Sequence, residues 1–358
     1  MQDYMKRSPV ATPTLSDVAR LAGVGKGTAS RVLNGGENCS KEAIRRVEEA
    51  IWELGFTPNR LARSLKGGAS GSIGMIVPSI SDMFFSQCAE AVEKVAKTNG
   101  SLLIVMASHD DPAVELNNLK LLLLHRVDGL ILSAAQSNNA RLYKELKELK
   151  IPVVGLDRPL QQAKLPSVMS QNREGAIAGT EHLLSHGYDK ILCIHVKPEL
   201  YTIRERLQGY KEAMSTAGQE PLLKNVGSAA DVARCLMEHR GPAGSKIAVF
   251  AANNLAARLT WGAIRTLRLS VPKQIGILSF DDFDLADSLT PPMSVVQQTV
   301  DDLGRKAAEL LFQKMKNPPI EASGNDHPLL LPTRLIIRQS CGCKSPIEIA
   351  GRRSTFVR

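Results

Sequence analysis

The sequence predicts two kinds of structure in one chain: a small all-α helix-turn-helix domain, then an α/β core of two Rossmann-like lobes with parallel sheets. Three observations predict it. Residues 14–34 read TLSDVARLAGVGKGTASRVLN, two short apolar helical patterns around a glycine-containing turn. From Ile73 onward, short apolar strand-like runs alternate with helical patterns. The runs are continuously apolar, as in parallel strands covered on both faces.

The elements follow in order. Thr14 with Asp17 three residues on forms a capping-box pattern, and Leu15, Val18, Ala19 and Ala22 fall at helical spacing. Gly23 supplies the tight turn. The second helix carries Thr28, Ser30 and Arg31 together with Ala29, Val32 and Leu33. A third helix runs from its cap Ser40 to Leu54, with Ala43, Ile44, Val47, Ala50, Ile51 and Leu54 as its buried stripe, and Gly55 ends it. Pro58 to Gly68 reads as a short helix stopped by two glycines. So short a helix is marginal alone and predicts a hinge that orders only when something packs on it.

Strands are expected at Ile73–Val77, Leu102–Met106, Gly129–Leu132, Val153–Leu156, Ile191–Val196, Ile247–Ala251 and Ile275–Phe280. Helical patterns lie between them at Glu90–Ala96, Glu115–His125, Glu174–His186, Arg206–Ala217 and Asp301–Met315. That is too many strands for one small sheet, so two lobes with a cleft at the strand C-termini fit best. The expected division is 12–58 helix-turn-helix domain, 59–70 hinge and linker, 71–343 core and 344–358 basic tail. Within the core, one lobe takes 71–160 and 292–324, and the other takes 161–291 and 325–343.

Composition narrows the function classes. The 358 residues carry a formal charge of +9, which suits an anionic partner. Residues 1–70 hold 11 Lys/Arg against 7 Asp/Glu, and the tail adds Lys344, Arg352, Arg353 and Arg358. No apolar run is long enough for a membrane span, and no apolar signal-peptide core opens the chain, so a cytoplasmic location is expected. The cysteines at 39, 88, 193, 235, 341 and 343 are scattered and read as free thiols. Cys341-Gly-Cys343 is closely spaced and lacks a second ligand pair along the sequence, so no metal site and no cofactor are expected. An enzyme is not expected either. The loop after the first core strand, Pro78-Ser79-Ile80-Ser81, has no glycine fingerprint or phosphate loop, and HExxH and GxSxG are absent.

Several blocks then carry a resemblance: TLSDVARLAGV, TASRVLN, EAIWELGFTPNRLARSL, IGMIVPSISDMFF, LLLLHRVDGLIL, VVGLDRP, GAIAGTEHLLSHGYDKI, RERLQGY, FAANN, SFDD and SCGC. In this order they make the chain similar to the lactose-repressor (LacI) family of bacterial transcription regulators over roughly Thr14 to Cys343. The resemblance implies a core like that of periplasmic sugar-binding proteins. It also implies a homodimer, with a tetramer the further alternative, on a pseudo-palindromic double-stranded operator.

In the second helix the resemblance puts Lys26, Gly27 and Arg31 against bases. Arg31 is suited to guanine O6 and N7, and Gly27 has no side chain to read with. Thr28, Ser30 and Asn34 are suited to phosphates. Gly25 stands where the family commonly has serine. PNRLARSL resembles the family's hinge helix. There Asn59 opens the segment, Leu65 is the expected wedge between base steps, and Ala62 lies against the groove floor.

For the effector the resemblance implies a small polar molecule, a sugar or sugar derivative, held between the lobes. The matching positions are Asp110, Arg158, Arg204, Arg206, Asn253 and Asp281, with Phe84 or Phe85 stacking on a ring. Three departures are Asp82-Met83 in place of Asn-Pro, Asn254 in place of a frequent Asp, and Arg258-Leu259-Thr260 in place of Leu-Gly-Ala. The implied function is a repressor switched by its ligand. The alternative is a repressor of the same family that no longer responds to one.

Overall fold

Thr14 caps the first helix, α1 (Leu15–Leu21), in the way its spacing predicts. Its hydroxyl accepts from the Asp17 amide at 3.3 Å, and the Asp17 carboxylate accepts from the Thr14 amide at 2.9 Å. The chain turns at Gly23, whose φ of 61° suits a residue without Cβ, and enters α2 (Lys26–Leu33). Helix α3 (Lys41–Leu54) starts on the Ser40 cap and stops at Gly55 in the left-handed region. Val18, Ala19, Ala22, Ala29, Val47 and Ala50 form the core between the three helices. Four of these six are alanine, so the helices pack closely without large side chains.

The computed structural model describes residues 13–33, 38–56, 69–136, 139–242, 245–317, 328–344 and 347–350, the last as backbone only. Asn34, the hinge residues Asn59, Ala62 and Leu65, and most of the basic tail lie outside the described residues. The chain divides into two units, 1–70 and 71–358.

The second unit is built on two sheets. Strands β1 (Ser72–Val77), β2 (Leu102–Ala107), β3 (Leu130–Leu132), β4 (Val153–Leu156) and β5 (Ser167–Ser170) form the first, in the order β5-β4-β3-β1-β2. A late strand, Leu329–Leu331, joins its edge beside β5. All these pairs are parallel. β1 is buried along its whole length, which explains its unbroken apolar run. Helices α4 (Met83–Thr98), α5 (Pro112–Leu124) and α6 (Ala140–Glu148) cover the two faces over separate apolar clusters.

The second sheet holds β6 (Lys190–His195), β7 (Leu222–Asn225), β8 (Ile247–Ala251), β9 (Ile275–Phe280) and β10 (Ser294–Gln298). Its helices are α7 (Asn172–Leu184), α8 (Tyr201–Thr216), α9 (Ala229–His239) and α10 (Asn254–Thr266). Helix α11 (Val300–Lys316) returns to the first lobe, where Leu303, Ala307, Ala308 and Leu311 pack beneath β1 and β4 residues. After β11 (Leu329–Leu331), strands β12 (Thr333–Ile337) and β13 (Ile347–Ala350) close the second sheet in antiparallel fashion. Among the described residues, no helix is long and apolar enough to cross a membrane.

The sheets move the expected lobe boundaries. The chain crosses between lobes after Ser170, after Gln298 and after Leu331, not near residues 160, 292 and 324. Arg158-Pro159 looks like the end of a lobe in the sequence. The chain instead makes one short turn, Gln161–Ala163, and adds β5 to the same sheet. Within the expected basic tail, Ile347–Ala350 pairs with β12.

Candidate effector site and DNA interface

One helix, α2, builds the candidate DNA-contacting surface. On α2, Ala29 is fully buried against the three-helix core, which fixes the helix rotation. Lys26, Gly27 and Arg31 are then left exposed, and Thr28 and Ser30 half-buried. A Cβ placed at Gly27 meets nothing within 4 Å, so the position is open toward solvent. Two exposed cations on this helix suit guanine edges or phosphates.

In the core, the strand C-termini converge on a cavity of about 320 Å³ between the lobes. Phe84, Phe85, Asp110, Arg158, Arg206, Asn253 and Asp281 all line it, joined by Lys197 and Gln298. Five of its residues, His109, Asp110, Asp157, Lys197 and Asp281, have φ between 49° and 72°. Non-glycine residues in the left-handed region are costly and collect at binding sites, where the surrounding fold holds them.

Each lobe presents an arginine–carboxylate pair to this cavity. In the first lobe Arg158 Nη1 donates to Asp110 Oδ1 at 2.8 Å and to the Ala134 carbonyl at 2.8 Å. In the second lobe Arg206 Nη1 donates to Asp281 Oδ2 at 2.9 Å and to the Ala252 carbonyl at 3.0 Å, and its Nε donates to Asn172 Oδ1 at 2.8 Å. The Arg206 guanidinium also lies 3.8 Å from the centre of the Phe280 ring. Gln298 Nε2 donates to the other Asp281 oxygen at 2.6 Å. Both arginines are buried, so each needs its carboxylate to offset desolvation.

One ion pair crosses the cleft: Lys197 Nζ of the second lobe donates to Asp110 Oδ2 at 2.6 Å. Burial raises the Asp110 carboxyl, but Arg158 and Lys197 outweigh it and hold the group below its ordinary value. Asp157 is different. Burial dominates there and pushes it up to about 6, against the pull of Arg158 and Arg206. Burial likewise raises Asp82, the cap of α4, whose Oδ1 accepts from the Phe84 amide at 3.1 Å. Behind the first-lobe pair, Glu115 Oε1 accepts from the Ala135 amide at 2.6 Å, and burial lifts its carboxyl to about 7.

The structure corrects one expected ligand residue. Arg204 is exposed and does not line the cavity. The buried face of α8 carries Thr202, Ile203, Arg206, Leu207 and Tyr210, and Arg204 points away from that face. Two aromatic candidates have distinct surroundings. Phe85 is buried in the first-lobe core, while Phe84 is half-buried and also lines a second, more open recess of about 660 Å³. That larger recess carries Glu90, Asp284, Asp287, Asp301 and Asp302 together with Arg334 and Arg338, and Arg338 Nη2 donates to Asp282 Oδ2 there at 2.8 Å. Asn253 spends its Oδ1 on capping α10, accepting from the Ala256 amide at 2.9 Å. Its amide nitrogen is the part suited to a ligand.

Lys197 and Gln298 were missed from the sequence. Neither stands in a recognisable motif, and only the crossing of strands brings them to the cavity.

Family models match both units: one for bacterial regulatory proteins of the lacI family over residues 14–59, and one for periplasmic binding proteins and the sugar-binding domain of the LacI family over residues 70–338. A ribose operon repressor of Halalkalibacterium halodurans is 33% identical over 335 residues, covering 91% of this chain and 96% of its own. Among solved structures, the lac repressor dimer bound to operator and an anti-inducer is 26% identical, with a TM-score of 0.80 and coverage of 92% and 99%. The transcriptional regulator CelR in complex with cellobiose is 28% identical, with a TM-score of 0.65 and the same coverage.

Proposed function

The chain belongs to the LacI family of bacterial regulatory proteins, and on that premise we propose that its cleft holds a monosaccharide, of the pentose class, between two arginine–carboxylate pairs. It is a DNA-binding repressor with an effector domain and not an enzyme. The observation that carries the effector reading is the convergence of Arg158–Asp110 and Arg206–Asp281 from opposite lobes on one cavity. A carboxylate accepts from a sugar hydroxyl and an arginine donates to one, so each pair matches both halves of a hydroxyl group. Asn253 adds an amide donor, and Phe84 offers an apolar ring face. The pentose class rests on the relative named as a ribose operon repressor.

On the DNA side, two copies of the chain place paired α2 helices in successive major grooves of a pseudo-palindromic operator, in the cytoplasm. Lys26 and Arg31 read bases, Thr28, Ser30 and Asn34 hold phosphates, and Gly27 leaves one base less discriminated. The hinge positions Asn59, Ala62 and Leu65 enter the minor groove, with Leu65 as the wedge. Effector binding changes how the lobes close, and operator affinity changes with it.

A thermal-shift series on the full chain tests the effector class. A ligand at a hundred times its dissociation constant stabilises by about 2.7 kcal/mol. Ribose or a close pentose should raise the melting point and change operator affinity. A shift with a purine base and none with any pentose would replace the sugar. One observation favours the unresponsive alternative: Lys197 already closes the cleft onto Asp110. A chain that binds operator and shifts with no sugar or purine would establish that reading instead.

A further inference from the structure

Far from the cleft, at the opposite ends of the second-lobe strands, four side chains of two distant segments meet. His182 and His186 stand four residues apart where α7 ends, and Cys341 and Cys343 flank a turn after β12. The Nε2 and Sγ atoms of all four lie within 4.8 Å of one another. His182 and Cys341 are 159 positions apart in the chain, which is why Cys341-Gly-Cys343 shows no second ligand pair in the sequence.

The separations have the form of a coordination shell. His182 Nε2 is 3.2 Å from Cys341 Sγ, 3.3 Å from His186 Nε2 and 3.8 Å from Cys343 Sγ. His186 Nε2 is 3.4 Å from Cys343 Sγ. A tetrahedral ion at about 2.3 Å from sulfur and about 2.0–2.1 Å from nitrogen needs N···N near ~3.3 Å and N···S near ~3.5 Å. The four distances bracket those values.

The polar pairing without an ion is poor. His182 Nε2 faces His186 Nε2, Cys341 Sγ and Cys343 Sγ together, and a single ring nitrogen, with one proton or one lone pair, pairs well with only one of the three. An ion takes both lone pairs at once. We propose that His182, His186, Cys341 and Cys343 form a closed four-coordinate site for a borderline-soft divalent ion, zinc being the best match, that pins the C-terminal turn to the end of α7.

Cys341 Sγ has a hydrogen-bond donor beside it. Ser294 Oγ accepts from the Arg338 amide at 2.8 Å and donates to Cys341 Sγ at 3.1 Å. As a thiol, Cys341 donates to the Arg338 carbonyl at 3.6 Å. Deprotonation gives up that long bond and keeps the Ser294 donor. Gly342 sits between the two cysteines at φ 109°, where a Cβ would come within 3.3 Å of both His186 Nδ1 and Tyr188 Oη. The turn that brings both sulfurs to one point therefore excludes a side chain.

Charge balances as well. A divalent ion displaces one proton from each thiol and meets two neutral imidazoles, leaving no net charge beside the apolar cluster that contains Cys341 and Tyr188. Four protein ligands leave no open position, so the site is structural and performs no hydrolysis.

The test uses the full chain, purified under reducing conditions, stripped with chelator and titrated with zinc and cobalt(II). One equivalent should bind. Cobalt should give the visible bands of a tetrahedral ion together with sulfur-to-metal charge transfer. Zinc should raise the melting point of the second unit, and chelator should reverse it. His186→Gln keeps both sulfurs and should weaken zinc by more than the roughly 10–100-fold that outer-shell changes cost. Cys341→Ser/Cys343→Ser should abolish charge transfer, while Cys235→Ser, outside the cluster, should change nothing. Should the double variant fail to fold, the cobalt and zinc titrations of the unmutated chain decide the question alone. Less than a tenth of an equivalent bound, cobalt spectra without charge transfer, or a Cys341–Cys343 disulfide in reduced, air-free protein would each overturn the site.

Discussion

Glu115 offers a perturbation whose size the structure sets. Its side chain is fully buried on α5, with Oε1 on the Ala135 amide and Oε2 without a hydrogen-bond partner. Burial raises the carboxyl from its ordinary 4.5 to about 7, against the opposing pull of the Ala135 amide and Arg158. The sign follows from proton counting. Below pH 4.5 folded and unfolded chains both hold the proton. As the pH rises from there, the unfolded chain ionises while the folded one stays neutral, so stability falls until about pH 7 and is then flat.

The full loss is about 3 kcal/mol, at about 1.36 kcal/mol for each pH unit separating the two states. Only about 1 kcal/mol of it has accrued at pH 5, and nearly all by pH 8. Glu115→Gln has nearly the shape of the protonated acid and does not titrate. Urea unfolding followed by circular dichroism should therefore show the variant gaining about 2 kcal/mol on the parent between pH 5 and pH 8. Any constant cost of the amide cancels in that comparison. A difference that does not change with pH would refute the argument, because Glu115 would then titrate as an exposed carboxyl does.

Three further outcomes are expected. Arg31→Ala should cost about 1–3 kcal/mol of operator binding and relax preference at one base, read by competition between operator variants; equal losses on operator and random DNA would reduce Arg31 to a phosphate contact. Arg206→Ala should abolish effector binding and destabilise the second lobe, since Asp281 is left uncompensated, whereas Arg204→Ala should leave effector affinity unchanged; calorimetry distinguishes them, and a loss with Arg204→Ala would return that residue to the site. Lys197→Met removes the ion pair across the cleft, and because the lysine is half exposed the direct loss is about 1 kcal/mol or less; small-angle scattering without effector should show a more open second unit, and an unchanged profile would mean that the lobes close without it.

Legibility differed by element for physical reasons. The helix-turn-helix unit was legible almost to the residue, because capping pairs and glycines mark helix ends locally and Ala29 fixes which face turns outward. Central strands such as β1, β8 and β9 were legible because burial on both faces demands unbroken apolar runs. β5 and β10 were not. β5 reads Ser-Val-Met-Ser, with a polar residue at each end, and β10 ends in two glutamines that bond Asp282 and Asp281 rather than join the core. Missing them displaced the first two expected lobe boundaries, and missing β11 displaced the third. Of the residues the resemblance singles out, Phe84, Phe85, Asp110, Arg158, Arg206, Asn253 and Asp281 line the cavity, whereas Arg204 lies on the exposed side of α8, because a block gives spacing while helix phase decides direction. Lys197 and the His182–Cys341 meeting depend on which strands are neighbours, which spacing along the chain does not encode.

The positions of Asn172 and Gln298 suggest how the cleft addresses the lobe crossings. Asn172 is the first residue of α7, immediately past the first crossing, and its Nδ2 donates back to the Ser170 carbonyl on β5 at 3.1 Å. Its Oδ1 receives Arg206. Gln298 is the last residue of β10, before the second crossing, and holds Asp281. The third crossing is tied to the first, since the Gln171 amide donates to the Leu331 carbonyl at 2.8 Å. The Arg206–Asp281 pair therefore touches two crossings directly and the third through one backbone bond. A ligand that draws either member of that pair toward itself therefore pulls on residues at the lobe crossings, since Arg206 is 4% exposed, Asp281 15%, and each is bonded to one of them. Among the described residues, Arg158–Asp110 has no such link and reaches the other lobe through the half-exposed Lys197. Among the described residues, the two pairs thus differ in what they touch: the second-lobe pair is bonded to residues at the lobe crossings, and the first-lobe pair meets the other lobe through Lys197.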